Sequence, residues 1–306
     1  MKLIVQSQIK FNSKQKAKIN SLGFTIKHYF GEKITGDVYL GYPQLPFSEL
    51  ENIEGLKFVQ SLMAGYDHLD MDYIKSLNII FANASGISSI PISEFVILKL
   101  LEHYKNAEKF RLLQRKKKWK SLSENSQGVQ ELYGRQALIL GSGSVGSEVA
   151  KRLKVFGVST IGINRSGKSV EHFDQTYTLS EVYDHLPKVD IVIGALPLSS
   201  ETLGIYDKKF FKLMPKDGVF VNVGRGPQLN EKDLLEIIDD HLSYVYLDVL
   251  PNEPLSKDSK LWDHKKISIT PHISFTSDKV LSRSIELAIE NLKRFRENRE
   301  IINRVV

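Results

Sequence analysis

The chain has 306 residues, 42% hydrophobic and 25% charged, with 42 basic and 36 acidic residues and no cysteine. This is the composition of a globular protein long enough for two domains of ordinary size. Without cysteine there is no disulfide, no thiolate metal site and no cysteine nucleophile, which suits a reducing cytoplasm. The net charge of +6 is modest and spread along the chain.

The first apolar run, within MKLIVQ, is too short for a signal peptide, and no later stretch is long enough to span a bilayer. Residues 1–82 alternate strand candidates with helical pattern: 3–5, 24–29, 37–40, 57–62 and 79–82 read as strands, and 13–22 as a helix. That alternation implies a parallel sheet covered on both faces. His68 and Asp70 read as structural, because no metal-ligand spacing accompanies them. Pro91 opens a helical pattern that runs to about Leu113 and is expected to connect two α/β units. The basic cluster at Arg115–Lys120 ends that pattern and reads as a solvated helix end rather than a nucleic-acid surface. Residues 121–130 are polar and loop-like. Neither nucleic acid nor a membrane is an expected partner.

The second α/β unit begins at Gln136 and is built around QALILGSGSVG. An apolar strand stops at Gly141, Gly143 and Gly146, spaced G-x-G-x-x-G, and a helical pattern carrying Val145, Val149, Leu153 and Phe156 follows at once. Gly141 can take the angles of the turn, Gly143 lets a diphosphate approach the main chain, and Gly146 lets helix and strand pack closely. The amides of the first turn, at Ser144 and Val145, then face the phosphates at the positive end of the helix dipole.

Strand candidates continue at 158–163, 189–196, 218–223, 244–249 and 267–270, with a turn at 215–218 and a helix at 231–240. The second strand ends GINRSGK. An acid that would bind the ribose 2′-hydroxyl is expected there, but the position holds Asn164, followed by Arg165, Ser166 and Lys168. A carboxylate repels a 2′-phosphate, whereas a guanidinium and a hydroxyl bind it, so NADP(H) is favoured with NAD(H) as the alternative. A last amphipathic helix follows Ser277, with Leu281, Ile285, Ala288, Leu292 and Phe295 on one stripe. It is expected to return to the first unit. The division is then 1–95 with 277–306 as a discontinuous substrate-binding domain, and 96–276 as the dinucleotide-binding domain.

Three strand ends carry polar residues: Arg225 in NVGRGP, Glu253 in LDVLPNEPL and His272 in ITPHIS. Ligands of open α/β sheets bind at such ends. Reduction of a 2-keto acid needs a cation for the carboxylate, a proton for the carbonyl oxygen and a hydride. Arg225 offers a bidentate cation and His272 a proton near neutrality, with Glu253 as its carboxylate partner.

With these residues in place, the sequence resembles the D-isomer-specific 2-hydroxyacid dehydrogenases over nearly its whole length. The resemblance rests on SLMAGYDHLD (61–70), the glycine fingerprint, ALPLSSET (195–202), VNVGRGP (221–227), LDVLPNEPL (247–255) with SKLW (259–262), and TPHIS. It implies an α/β fold of two doubly wound parallel-sheet domains, one flavodoxin-like and one of the Rossmann dinucleotide-binding type, with a cleft between them, usually in a homodimer. It implies that Arg225, Glu253 and His272 are the catalytic set, that the Ala64 and Gly65 amides hold the substrate carboxylate, and that Leu196, Pro197, Thr202, Val223, Gly224 and Asp248 line the cofactor site. The missing acid at Asn164 resembles the NADPH-using glyoxylate/hydroxypyruvate reductases. Tyr66 stands where the family often has a small aliphatic residue, which is either a packing variant or a changed substrate pocket. The implied activity is reduction of a small 2-keto acid by NAD(P)H with His272 as general acid; the alternative is a nucleotide-sensing scaffold or corepressor that keeps the fold.

Overall fold

The computed structural model describes residues 1–43, 48–67 and 69–306, with the side chains of Ser48 and Glu49 left aside. It divides into two compact units, Met1–Ser88 with Ser277–Val306, and Ser89–Thr276. His68 lies outside the described residues.

The first unit holds five parallel strands, β1 (Lys2–Gln6), β2 (Thr25–Tyr29), β3 (Val38–Gly41), β4 (Phe58–Ser61) and β5 (Ile80–Ala82), in the order β2-β1-β3-β4-β5. That is the flavodoxin-like order. Leu3, Val5, Val38, Leu40 and Phe58 point into one core with Ile285, Ala288, Ile289 and Leu292 of the helix Val280–Arg296. The 3.6-residue stripe of that helix therefore buries its apolar side on the sheet of the first unit. Ile4, Tyr39, Val59 and Phe81 alternate to the opposite face and fill a second core.

The second unit is a seven-stranded parallel sheet: β6 (Gln136–Leu140), β7 (Ser159–Ile163), β8 (Gln175–Tyr177), β9 (Ile191–Gly194), β10 (Gly218–Asn222), β11 (Leu242–Leu247) and β12 (Ile267–Ile269). Their order, β8-β7-β6-β9-β10-β11-β12, is the doubly wound dinucleotide-binding order with one strand added at the edge. β9 and β10 are buried along their whole length, as strands covered on both faces must be. Six of these strands read out of the sequence. β8 does not, because three residues, Gln175-Thr176-Tyr177, carry no usable periodicity.

The helical pattern expected as one element from Pro91 to Leu113 is two helices, Ser89–Tyr104 and Ala107–Arg115. Asn106 separates them in a left-handed conformation, φ 51°, which asparagine tolerates better than most residues. The first of the two packs Val96 and Leu100 against Val149 and Leu153 of the helix Ser144–Val155, which places it with the second unit. The loop expected at 121–130 contains a short helix, Leu122–Asn125. Ser121 and Glu124 close it by capping each other's backbone amides. Among the described residues, no helix is long and apolar enough to cross a membrane, and no cluster of acidic, histidine or cysteine side chains is placed to hold a metal ion.

Candidate active site

The glycine turn joins β6 to the helix Ser144–Val155. Gly141 has φ 108°, and a Cβ there would stand 2.6 Å from the Ala195 carbonyl oxygen. The amides of Gly141 and Ser142 both donate to the Ile163 carbonyl at 2.9 Å, so the turn is fastened to the end of β7. A Cβ on Gly146 would overlap the Gly141 carbonyl oxygen, which is the close approach of helix to strand. At Gly143 nothing lies within 4 Å of the Cβ position. No side chain caps this helix, and its first internal bond is Ser147 N–H to the Gly143 carbonyl, at 2.8 Å. The preceding amides, at Ser144 and Val145, therefore lack helical acceptors and sit at the positive end of the dipole. Open space over Gly143 and an uncapped helix start fit a diphosphate.

At the end of β7, Asn164 organises the next turn instead of offering a carboxylate. Its Nδ2 donates to Ser142 Oγ at 3.0 Å and to the Lys168 carbonyl at 2.9 Å, and its Oδ1 accepts from Ser166 N–H at 3.0 Å and Ser166 Oγ at 3.2 Å. Asn164 thus ties this turn to the glycine turn. Arg165 and Ser166 are exposed.

The segment after β9 carries Leu196, Pro197 and Thr202. Thr202 Oγ1 donates to the Pro197 carbonyl and accepts from Ser199 N–H, both at 2.8 Å, closing a compact turn. Val223 and Gly224 follow β10 and are buried. A Cβ at Gly224 would come within 2.9 Å of the Leu196 carbonyl oxygen, so the ends of β9 and β10 touch there.

Arg225, Glu253 and His272 follow β10, β11 and β12, three adjacent strands of one sheet edge. Glu253 and His272 are joined directly: His272 Nδ1 lies 2.8 Å from Glu253 Oε2, and Glu253 Oε1 accepts from Leu250 N–H at 2.8 Å. A carboxylate only accepts, so Nδ1 carries the proton toward Glu253 and the other ring nitrogen, Nε2, is the one left to meet a ligand. The two side chains are about two-fifths exposed, at 43% and 37%. Arg225 is half-buried, and its Nη1 donates to the Gly224 carbonyl at 2.9 Å. The turn that carries it presses on the Glu253 loop, since a Cβ at Gly226 would overlap the Leu250 carbonyl.

Asp248 is 1% exposed and fastens the histidine loop. Its carboxylate accepts from Ile273 N–H at 3.0 Å, from Ser274 N–H at 3.1 Å, and from the hydroxyls of Thr270 and Ser274. Its carbonyl accepts from His272 N–H at 2.9 Å. These bonds hold His272 at φ 50°, a left-handed conformation that a non-glycine residue keeps only when its surroundings fix it. Tyr246 joins the cluster through Thr270 Oγ1 at 2.7 Å; burial, and then the neighbouring Asp248 charge, push its phenol upward so that it stays protonated.

In the first unit, Ala64 and Gly65 follow β4, and the Ala64 carbonyl accepts from Asn83 Nδ2 at 2.7 Å. Asp70 caps the helix Met71–Ser76, accepting from the Asp72 and Tyr73 amides at 3.1 and 3.0 Å. Tyr66 packs against the core that contains Leu69 and Ile74. Sequence reasoning missed Gln228, Thr270 and Ser274, polar residues at these strand ends that bond to the loops around Arg225 and His272. The only signal for Gln228 was an amide set among apolar neighbours just after the arginine turn.

A family model described as D-isomer specific 2-hydroxyacid dehydrogenase, NAD binding domain, matches residues 97–274. A glyoxylate/hydroxypyruvate reductase of Arabidopsis thaliana is 27% identical over 86% of this chain and 80% of its own. The crystal structure of a D-isomer specific 2-hydroxyacid dehydrogenase family protein from Aeromonas salmonicida covers 100% of this chain and 98% of its own, with 27% identity and a TM-score of 0.83. An NADPH-dependent glyoxylate/hydroxypyruvate reductase from Sinorhizobium meliloti, solved with NADP and sulfate, is similar at 25% identity, covering 99% and 98%, with a TM-score of 0.78.

Proposed function

Since the chain belongs to the D-isomer-specific 2-hydroxyacid dehydrogenase family, we propose that it reduces a small 2-keto acid, such as glyoxylate or hydroxypyruvate, to the D-2-hydroxy acid with NADPH. The observation that carries this reading is the Glu253–His272 pair, standing on the same sheet edge as Arg225 and the uncapped glycine turn. The names of similar proteins support it.

The Gly141–Gly146 turn and the first amides of its helix would hold the diphosphate. Arg165 and Ser166 would hold the 2′-phosphate, and Leu196, Pro197, Thr202, Val223, Gly224 and Asp248 would line the rest of the cofactor site. A nicotinamide bound there supplies the hydride. Arg225 takes the substrate carboxylate with its planar fork. His272 gives its Nε2 proton to the keto oxygen while Glu253 holds Nδ1 and stabilises the charged ring. A homodimer is part of the reading, in which a second copy would cover exposed apolar side chains such as Trp119 and Leu122, 100% and 84% exposed. A cytoplasmic setting suits a chain without cysteine.

The test is steady-state loss of nicotinamide absorbance with glyoxylate, hydroxypyruvate, pyruvate and 2-ketoisocaproate, each with NADPH and with NADH. Turnover that prefers NADPH and one of the short keto acids supports the reading. Failure with every pair, in protein that binds NADPH, overturns it.

A further inference from the structure

Gln228 is fully buried, yet every polar atom of its side chain is engaged. Oε1 accepts the Arg225 N–H at 3.1 Å. Nε2 donates to the Leu196 carbonyl at 3.3 Å and to the Pro197 carbonyl at 3.0 Å. Its backbone is held as well, its carbonyl accepting from Tyr206 N–H at 2.9 Å and its amide donating to the Arg225 carbonyl at 3.4 Å. The room for this arrangement comes from Gly224, where a Cβ would press to 3.0 Å on Gln228 Oε1 and 2.9 Å on the Leu196 carbonyl.

One amide side chain therefore bridges two segments that follow different strands. It grips the main chain of Arg225 on one side and the Leu196–Pro197 turn on the other. An amide is the group for the task, since it presents an acceptor and two donors a fixed distance apart. An apolar residue would leave the Arg225 amide without this partner and two carbonyls with one donor fewer. A carboxylate would turn an oxygen toward both carbonyls.

We propose that Gln228 is a positioning residue for the reaction: it sets the Arg225 guanidinium in register with the segment that lines the cofactor, so that carboxylate and nicotinamide are held at one spacing. The role rests on the function proposed above. It predicts a loss concentrated in the keto-acid step, because the hydrogen bonds of Gln228 go to Arg225, Leu196, Pro197 and Tyr206 and not to the glycine turn or the Arg165 turn proposed for the remainder of the cofactor. Misplacing a bound substrate by about an ångström is enough to cost about a hundredfold.

The experiment compares the full-length protein with Gln228→Met and Gln228→Glu. NADPH affinity is read by fluorescence titration, kcat and KM with the best keto acid of the panel, and folding by thermal unfolding. Gln228→Glu is the second variant because it keeps the volume and the acceptor for Arg225 N–H. The expected result is a fall of about ten- to a hundredfold in kcat/KM for the keto acid, with the NADPH dissociation constant changed less than about threefold. A merely structural glutamine would instead lower unfolding temperature and active fraction together, leaving the KM of the surviving enzyme unchanged. That pattern, or an unchanged kcat/KM in either folded variant, overturns the role while leaving the reaction intact. A wild-type protein that binds NADPH and reduces no keto acid overturns both.

Discussion

Glu253 holds His272 and the main chain with its two carboxylate oxygens, one on His272 Nδ1 and one on Leu250 N–H, each at 2.8 Å. The ring is thus fixed in both orientation and tautomer. Glu253→Gln keeps a hydrogen-bonding group of the same size but loses the charge, and its amide can present a donor to Nδ1. Keto-acid turnover is expected to fall about ten- to a hundredfold with NADPH binding unchanged. Steady-state kinetics with a cofactor titration checks this, and an undiminished kcat contradicts it.

Arg165 stands exposed at the end of β7, where Asn164 has given up the position of a ribose-binding acid. With the 2′-phosphate at the proposed place, Arg165→Glu sets a carboxylate against it. The KM for NADPH is expected to rise at least about tenfold, while that for NADH changes little, since the hydroxyl carries no charge to repel. Equal effects on both cofactors would place the 2′-phosphate elsewhere.

Much of this arrangement was legible in the sequence for identifiable reasons. β6, β9 and β10 are apolar runs closed by glycine or polar turns, and Gly141 and Gly146 have steric duties that no other residue performs. The break at Asn106 was not legible, because the apolar pattern passes straight across it and the backbone angle at one asparagine decides the outcome. Asp248 shows the other limit. Its motif position marked it as a residue of the cofactor site, while its bonds to Thr270, Ile273 and Ser274 arise only when β12 is laid beside β11. Side chains that tie one strand end to another have no local signature.

His103 is half-buried, stacks on Tyr244 at 4.8 Å between ring centres, and is pushed down to about 4 by burial and then by the Arg135 guanidinium. The unfolded chain takes up this proton near pH 6.5 and the folded chain does not until about 4. Unfolded protein therefore binds more protons in that window, and stability is lost as pH falls through it. His103→Gln, which does not titrate, is expected to lose less stability than wild type across the same window, as read by urea midpoints. Parallel losses in the two proteins would contradict this.

Tyr206 is wholly buried among Phe210 and Phe220, with ring centres 5.2 and 4.9 Å away, and its hydroxyl has no hydrogen-bond partner among the described residues. Burial raises its phenol and leaves a polar group that folding does not reward. Tyr206→Phe is expected to raise stability by about 1 kcal/mol. Chemical denaturation measures it, and a loss of that size would mean that the hydroxyl is satisfied in solution.

In the proposed reaction His272 hands a proton to the keto oxygen. The most direct measurement compares wild type with His272→Gln for reduction of the preferred keto acid by NADPH, with cofactor affinity titrated in both. A fall in kcat of about a hundredfold or more with NADPH affinity unchanged is the expected result. Turnover within a few-fold of wild type would show that the proton comes from another group, and that the Glu253–His272 pair has a different purpose.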